Sequence, residues 1–324
     1  METKNGEMAL FTRVEMPQME RRITTGDSMV FLGSCFAEHI GGRFLSYGLP
    51  ALCNPLGVLY NPASIRAVVG ASCRPLGAQE GSALPLFQTP DGEWRCWLAD
   101  TGISAPTRPE CEAKMNERLD ILASGLTRSR HLFVTLGTAV CYRLRTTGAV
   151  VSNCHKMPGA MFEEHRLSTE ECVAALSDVA ERMQRLNPGL QVVFTVSPYR
   201  YRKYGFHGSQ LSKATLLLAV DEVCRRFPAS CLYLPVYEMF MDELRDYRFY
   251  APDMLHPGEV AVDYVWQRLV AECMTERLQQ YLSEYEPVRR GLAHRPSSPD
   301  SVAHRAFMAG LEQRRRELQS QYGI

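Results

Sequence analysis

The clearest indication of the fold is the segment Met29-Val30-Phe31-Leu32-Gly33-Ser34-Cys35-Phe36-Ala37-Glu38-His39. It begins with a short apolar run, and apolar residues then recur at Phe36, Ile40 and Phe44 with helical spacing. The pattern predicts a strand, a tight turn at Gly33 and Ser34, and a helix. Such a turn places Ser34 at the carboxyl end of a strand and at a helix N-terminus. Parallel sheets bind ligands at that edge, and helix N-terminal N–H groups stabilise negative charge there.

Ser34 has two interpretations on this stretch alone. It is a candidate nucleophile, because the turn would present its hydroxyl at the edge of the sheet. It is equally a candidate N-cap, which is the more frequent role of a serine at a helix start, and glycine is a common turn residue. Other motifs in the chain are needed to distinguish the two roles.

The composition is that of an ordinary globular protein without net charge. The 324 residues are 45% hydrophobic and 22% charged, with 36 basic and 36 acidic side chains. This balance gives no general attraction for nucleic acid or an anionic membrane, and no apolar run approaches the ~20 residues of a membrane span. The N-terminus does not look like a secretory signal. Eleven scattered cysteines without a C-x-x-C pair argue against disulfides or a zinc site. We therefore expect a cytoplasmic protein with no metal and no cofactor.

Apolar, β-rich segments alternate with helical ones along most of the chain. This order predicts an α/β fold, with a parallel sheet and helices on both faces. The predicted strands are 29–32, 131–136, 191–196 and 231–234, and the predicted helices after the first are 62–69, 109–124, 168–186, 212–226 and 258–278. We expect loops at 51–62 and 199–210, an insertion at about 71–105 with a hairpin turning at Asp91-Gly92, and a hairpin or loop at 148–162.

The C-terminal part differs from the rest in composition. From Gln279 the chain is charged, with a predicted linker at 295–299 and a final helix at 301–319. The sequence therefore divides into a domain over 25–278 and a helical extension over 279–324. The extension is either a packing tail or an oligomer contact, and its weak amphipathicity favours the tail. The oligomeric state stays open.

A second short motif, Asp253-x-x-His256, follows the last predicted strand and precedes a long helix. A serine hydroxyl is a weak nucleophile until a base takes its proton, and histidine is suited to that task near neutral pH. An aspartate bonded to the other ring nitrogen fixes the tautomer and stabilises the imidazolium. Together with Ser34, this motif predicts a catalytic triad.

The order of Ser34, Asp253 and His256 resembles that of the SGNH (GDSL-like) hydrolase superfamily, and Gly33-Ser34-Cys35-Phe36-Ala37 spells the signature of the GSCFA family. The resemblance implies a flavodoxin-like, three-layer fold with a five-stranded parallel sheet. It also implies Ser34 as nucleophile, His256 as base and Asp253 as its orienter. Further matches to the family pattern are Thr135-Leu136-Gly137-Thr138, Asn153-Cys154-His155-Lys156, Val196-Ser197-Pro198, Ser212-Lys213-Ala214 and the run 242–250.

In that superfamily the oxyanion hole is built from the N–H of the nucleophile, a glycine N–H and an asparagine side chain. This chain has no G-x-N-D motif, and its counterpart Gly137-Thr138-Ala139-Val140 carries alanine in the asparagine position. Candidate oxyanion or substrate-binding residues are therefore Gly137, Thr138, Asn54, Asn153, His155 and the N–H of Gly57. The Asn153–Lys156 segment is equally interpretable as a substrate loop or as a structural hairpin.

These residues support two functions. The first is a serine esterase or acyl hydrolase, or an O-acyltransferase, acting on an ester or O-acyl group of a small molecule or saccharide. The alternative is a non-catalytic carbohydrate- or small-ligand-binding module on a degenerate scaffold. A third hypothesis makes Cys35 the nucleophile, although a helix beginning at Ser34 turns the Cys35 side chain about 100° away. The cluster 199–204, which interleaves tyrosines with basic residues, favours a carbohydrate or an anionic acyl substrate over nucleic acid, and a solvated loop is about as frequent.

Overall fold

The computed structural model describes residues 12–73, 84–294 and 301–324. The strands are β1 Met29–Gly33, β2 Ala51–Cys53, β3 Leu86–Gln88, β4 Trp94–Cys96, β5 Ser104–Ala105, β6 His131–Leu136, β7 Val140–Leu144, β8 Val150–Val151, β9 Phe162–Arg166, β10 Gln191–Val196 and β11 Cys231–Tyr233. The α-helices are α1 Cys35–Ser46, α2 Pro62–Ser72, α3 Arg108–Arg128, α4 Thr169–Leu186, α5 Gly205–Arg226, α6 Val236–Glu238, α7 Glu259–Cys273, α8 Glu276–Ala293 and α9 Val302–Tyr322.

Five parallel strands form the central sheet in the order β11-β10-β6-β1-β2, which confirms the predicted five-stranded sheet. Gly33 at the end of β1 lies opposite Thr135 of β6, and Thr135 lies opposite Thr195 of β10. The prediction of a shaped loop over 51–62 is wrong in its first residues. Ala51–Cys53 pairs with β1 as an edge strand, because β1 offers an unpaired side to it.

Helices cover both faces of the sheet, so the fold has three layers. Alternate strand residues point to opposite faces, and the two cores follow this alternation. Leu32 and Val134 belong to the core beneath α2, α3, α4 and α5. Phe31 and Phe133 belong to the core beneath α1, α7, α8 and α9, and their rings stack at 4.8 Å.

Two small antiparallel sheets, β3-β4-β5 and β8-β7-β9, extend the domain. The first contains the predicted hairpin, with Gly92 at φ 90° in its turn. The prediction of only a hairpin or loop over 148–162 is incomplete, because β7 and β9 pair on either side of it. Trp97 and Phe162 join the two sheets edge to face at 5.5 Å. Residues 74–83 of the predicted insertion lie outside the described residues.

The predicted helix over 258–278 is wrong in its last turns. The chain leaves α7 at Cys273 because Ile23 inserts beside it. The Ile23 N–H donates to the Cys273 carbonyl at 2.8 Å, and the Thr275 N–H donates to the Ile23 carbonyl at 3.0 Å. A new helix, α8, then begins at Glu276, so the predicted boundary at 278/279 falls inside it.

The final helix, α9, packs against the rest of the protein. Leu318 and Tyr322 are buried, and the Gln319 side chain donates to the Gly48 carbonyl at 3.3 Å. These contacts favour the packing-tail interpretation of the C-terminal residues. The predicted linker at 295–299 lies outside the described residues. Within the described ranges, none of the helices combines the length and apolar character needed to cross a membrane.

Candidate active site

The end of β1 fixes the position of Ser34. The Gly33 N–H donates to Asn54 Oδ1 at 2.9 Å, and the Ser34 N–H donates to the Thr135 carbonyl at 3.0 Å. Gly33 has φ 137°, and a Cβ there would lie 2.2 Å from the Thr135 carbonyl oxygen. Glycine is therefore required, because only it permits this close approach of β1 and β6 just before Ser34.

The Ser34 side chain does not cap α1. Ser34 occupies the N-cap position with an extended backbone, but its hydroxyl forms no hydrogen bond to the helix. The residue is 2% exposed, and its Oγ has no hydrogen-bond partner. Buried hydroxyls are generally paired, so an unpaired one needs an explanation. A role of this hydroxyl as a nucleophile is one such explanation.

The Asp253 and His256 side chains form a pair within one loop. Asp253 Oδ2 lies 2.5 Å from His256 Nδ1, while Oδ1 accepts the N–H groups of Leu255 and His256 at 2.9 and 3.0 Å. Met254 turns the loop with φ 59°. The His256 N–H and then its ring are the main causes that lower the pKa of Asp253 to about 2. The ionised carboxylate accepts a hydrogen bond from Nδ1–H, which leaves Nε2 as the basic nitrogen.

Tyr199 connects this pair to the sheet edge. It follows β10, and its ring lies 4.2 Å from the His256 ring. The next residue, Arg200, donates its N–H to the Leu255 carbonyl at 3.3 Å. Burial raises the pKa of Tyr199, with contributions from Asp253 and from Cys35, the neighbour of Ser34. Tyr199 therefore lies near both parts of the predicted triad, although Ser34 Oγ and His256 form no hydrogen bond in this structure.

The backbone N–H groups predicted as oxyanion donors are all used within the protein. The Gly57 N–H donates to the Asn54 carbonyl at 2.8 Å. The N–H groups of Gly137 and Thr138 both donate to the Tyr60 carbonyl, at 2.8 and 2.9 Å. These contacts hold the loops after β2 and β6 together beside Ser34, but they leave none of these N–H groups free.

The candidate side-chain donors are similarly engaged. The Thr138 hydroxyl lies 3.0 Å from the Ser212 hydroxyl, which also accepts the Ala139 N–H at 2.7 Å. Asn54 Nδ2 donates to Glu38 at 3.3 Å. Asn54 therefore links the start of α1 to the end of β1, since its Oδ1 accepts the Gly33 N–H.

Asn153 and His155 contact the small sheets. Asn153 Oδ1 accepts the His155 N–H at 2.7 Å, and His155 has φ 49°. The His155 ring is buried beside Phe87 and Trp97, where its Nε2 donates to the Cys96 carbonyl at 2.9 Å. Burial lowers its pKa. None of these hydrogen bonds reaches Ser34 or the Asp253–His256 pair.

Lys213 also lies in this region, although the sequence pattern assigns no role to it. It is fully buried, and its Nζ donates to the Gly137 carbonyl at 2.5 Å. The sequence does indicate that Lys213 is buried. Lys213 precedes Leu216 and Val220 by three and seven residues, which places it on the buried stripe of α5. A lysine at such a position is unusual, because lysine is almost never fully buried unless it is paired.

The comparisons with known proteins agree with the signature at Ser34. Residues 28–269 match the family described as the GSCFA family. The chain belongs to the GSCFA family. Residues 285–323 of this GSCFA protein match the C-terminal domain of GSCFA domain proteins, a region that contains the second half of α8 and all of α9. No curated protein matches the chain.

Among solved structures, the GSCFA chain is similar to an acetyl xylan esterase (Est2A) from the rumen bacterium Butyrivibrio proteoclasticus. The two are 10% identical with a TM-score of 0.41, and the match covers 85% of this chain. It spans 66% of the length of that chain.

Proposed function

We propose that this GSCFA protein is a serine esterase or acyl hydrolase, or an O-acyltransferase, of the SGNH type. One observation carries the proposal. A buried serine hydroxyl without a hydrogen bond stands at the end of β1, and an Asp253–His256 pair is held against Tyr199 at the same edge of the sheet.

The roles follow from the chemistry of these groups. Ser34 Oγ bonds to the acyl carbon while His256 Nε2 takes the hydroxyl proton, and His256 then gives that proton to the leaving alcohol. Water or a second alcohol releases the acyl group by the reverse steps. Asp253 holds the imidazolium in position throughout. Because Ser34 is closed to solvent here, its side chain or the His256 loop must move before the two groups come within about 3 Å.

A group of tyrosines supports a saccharide as carrier of the acyl group. Tyr201 lies 4.6 Å from Tyr199, 5.9 Å from Tyr204 and 6.3 Å from Tyr60, measured between ring centroids. Tyrosines combine an apolar ring face with a hydroxyl that can hydrogen-bond. A sugar ring presents a matching apolar face and a rim of hydroxyl groups, so this aromatic group is suited to bind it.

The test is hydrolysis of a panel of p-nitrophenyl esters and acetylated saccharides by the parent and by Ser34→Ala. We expect the substitution to lower kcat by about a thousandfold or more, because it removes the nucleophile. Equal turnover by parent and variant would remove Ser34 from the mechanism.

The state of the oxyanion donors favours a second candidate function, a non-catalytic ligand-binding module. The N–H groups of Ser34, Gly57, Gly137 and Thr138 all donate to protein carbonyls, and Ala139 replaces the expected asparagine. A fluorophosphonate probe separates the two candidates. Labelling of Ser34 supports the enzyme, whereas saccharide binding without labelling supports the module.

A further inference from the structure

Lys213 places a buried amine against the loop after β6, the strand whose Thr135 carbonyl holds the Ser34 N–H. The residue is 0% exposed, and its Nζ donates to the carbonyl of Gly137, two residues beyond the Thr135 carbonyl that holds the Ser34 N–H. Burying an ammonium group away from water is costly unless opposite charge or hydrogen bonds compensate for it. The position therefore needs a reason beyond packing.

The surroundings of Lys213 supply little compensation. Across the described ranges, no carboxylate lies within ion-pairing distance of its Nζ, and the Gly137 carbonyl is its sole hydrogen-bond partner. An ammonium has three N–H donors. The other groups that face it are the Tyr201 ring, whose centroid is 5.6 Å away, the Cys35 thiol of α1 and the Arg200 guanidinium. The amine is thus a positive charge at the sheet edge without a negative partner.

We propose that Lys213 is a positioning residue that supplies the positive charge for the acyl oxyanion formed at Ser34. This proposal rests on the proposed esterase function. Lys213 acts through Gly137, because its Nζ is closed to solvent and holds the carbonyl of that residue. Its charge fixes the loop after β6 and raises the electrostatic potential at the end of β1, where the acyl oxygen becomes negative.

The positive charge of Lys213 stabilises the oxyanion in place of the usual hydrogen-bond donors. Ala139 occupies the position of the asparagine in the superfamily pattern, so no amide side chain is present there. The N–H groups of Gly137 and Thr138 already donate to the Tyr60 carbonyl. A preorganised charge in a site that excludes water acts more strongly than it would in water, and it needs no reorganisation during the reaction. Loss of a single oxyanion donor slows enzymes by about 10²–10³-fold, and a charge acting through one peptide should contribute somewhat less.

The contribution should depend on pH. Burial lowers the pKa of Lys213 to about 7, with Arg200 lowering it further and Cys35 opposing the shift. The ammonium is therefore present below about pH 7 and is lost as the pH rises through that value. In the unfolded chain the amine stays charged to about pH 10. The unfolded state thus binds more protons between these values, and stability should increase with pH across this window.

The experiment compares the parent protein with Lys213→Met, with Lys114→Met as matched control. Lys114 also donates to a backbone carbonyl, that of Ser104 at 2.8 Å, but it is an exposed residue of α3. Hydrolysis of p-nitrophenyl acetate is measured from pH 5.5 to 9.5, together with urea unfolding at pH 7 and pH 10. Methionine matches the lysine stem and removes the charge, so the variant should fold at least as stably as the parent at pH 7.

We expect Lys213→Met to lower kcat/KM by about tenfold to a hundredfold below pH 6.5 and to approach the parent above pH 9. The parent should also gain more stability than the variant between pH 7 and pH 10. A constant activity ratio across the pH range, or equal activity of parent and variant, would overturn the role of Lys213 while leaving Ser34 in place. A parent that hydrolyses no ester would overturn the proposed function and this inference together.

Discussion

Replacing Gly33 by alanine should destabilise the protein strongly, because the structure leaves no space for a side chain there. The new methyl carbon would lie 2.2 Å from the Thr135 carbonyl oxygen and 2.8 Å from the Thr135 nitrogen. Both atoms are backbone of a central strand, so β1 and β6 must separate. The buried hydrogen bond from the Ser34 N–H to the Thr135 carbonyl, 3.0 Å long, would be lost with that movement.

Two contributions set the magnitude. An unmade buried backbone hydrogen bond costs about 1–3 kcal/mol, and an alanine held at φ 137° costs about another 1–3 kcal/mol. We therefore expect a loss of about 4 kcal/mol in the free energy of unfolding. Urea denaturation followed by tryptophan fluorescence should show a fall in midpoint of about 1–2 M.

Gly92→Ala is the matched control for this prediction. Gly92 has φ 90°, but no atom lies within 4 Å of a Cβ at that position. In this variant only the strained backbone conformation lowers the free energy of unfolding, by about 1 kcal/mol. If Gly33→Ala and Gly92→Ala unfolded at the same urea concentration, the close approach of β1 and β6 beneath Ser34 would be refuted.

Three further predictions concern the site and its support. Asp253→Asn should lower kcat by about 10³–10⁴-fold, because an amide favours the wrong tautomer of His256. With the pKa of Asp253 at about 2, the carboxylate interaction is lost only as the pH falls through that value, so Asp253 should cause no change in activity between pH 4 and 9. Glu243→Gln should lower the free energy of unfolding, measured by urea denaturation, by about 3–5 kcal/mol, because it breaks a buried ion pair with Arg268 at 2.5 Å. Replacing both Glu243 and Arg268 by methionine should restore most of that loss. Cys35→Ser should keep esterase activity within about threefold, because burial raises the pKa of the thiol and the proposed nucleophile is its neighbour, whereas complete loss of activity would favour a thiol mechanism.

Local patterns predicted the centre of the fold well. Strands β6 and β10 begin and end where the apolar runs predicted, because strands buried on both faces are continuously apolar. The Gly33-Ser34 turn also depends on neighbouring residues only. The Asp253–His256 contact is equally local, since three residues separate the pair.

Contacts between distant parts of the chain account for what the sequence could not predict. The break between α7 and α8 depends on Ile23, about 250 residues away in sequence. The first turns of α5, from Gly205, are polar, so the sequence predicts a loop there and that prediction is wrong. The hydroxyls of Ser209 and Ser212 in those turns accept the N–H groups of Tyr201 and Ala139 from other loops.

The engagement of the oxyanion candidates could not be predicted for the same reason. The Tyr60 carbonyl accepts two N–H groups from the loop after β6, and nothing in either segment alone indicates that pairing. The burial of Lys213 depends on Gly137 in the same way. The sequence predicts which residues lie at the carboxyl edge of the sheet. Which of their hydrogen-bonding groups stay free depends on contacts with distant parts of the chain.

Covalent labelling shows whether Ser34 is a nucleophile activated by His256. The parent, Ser34→Ala and His256→Ala proteins are incubated with a fluorophosphonate, and the modified peptide is located by mass spectrometry. We expect one adduct on Ser34 in the parent, none in Ser34→Ala and labelling at least about a hundredfold slower in His256→Ala. Absence of an adduct on Ser34 in the parent, or equal labelling rates with and without the imidazole, would contradict that expectation.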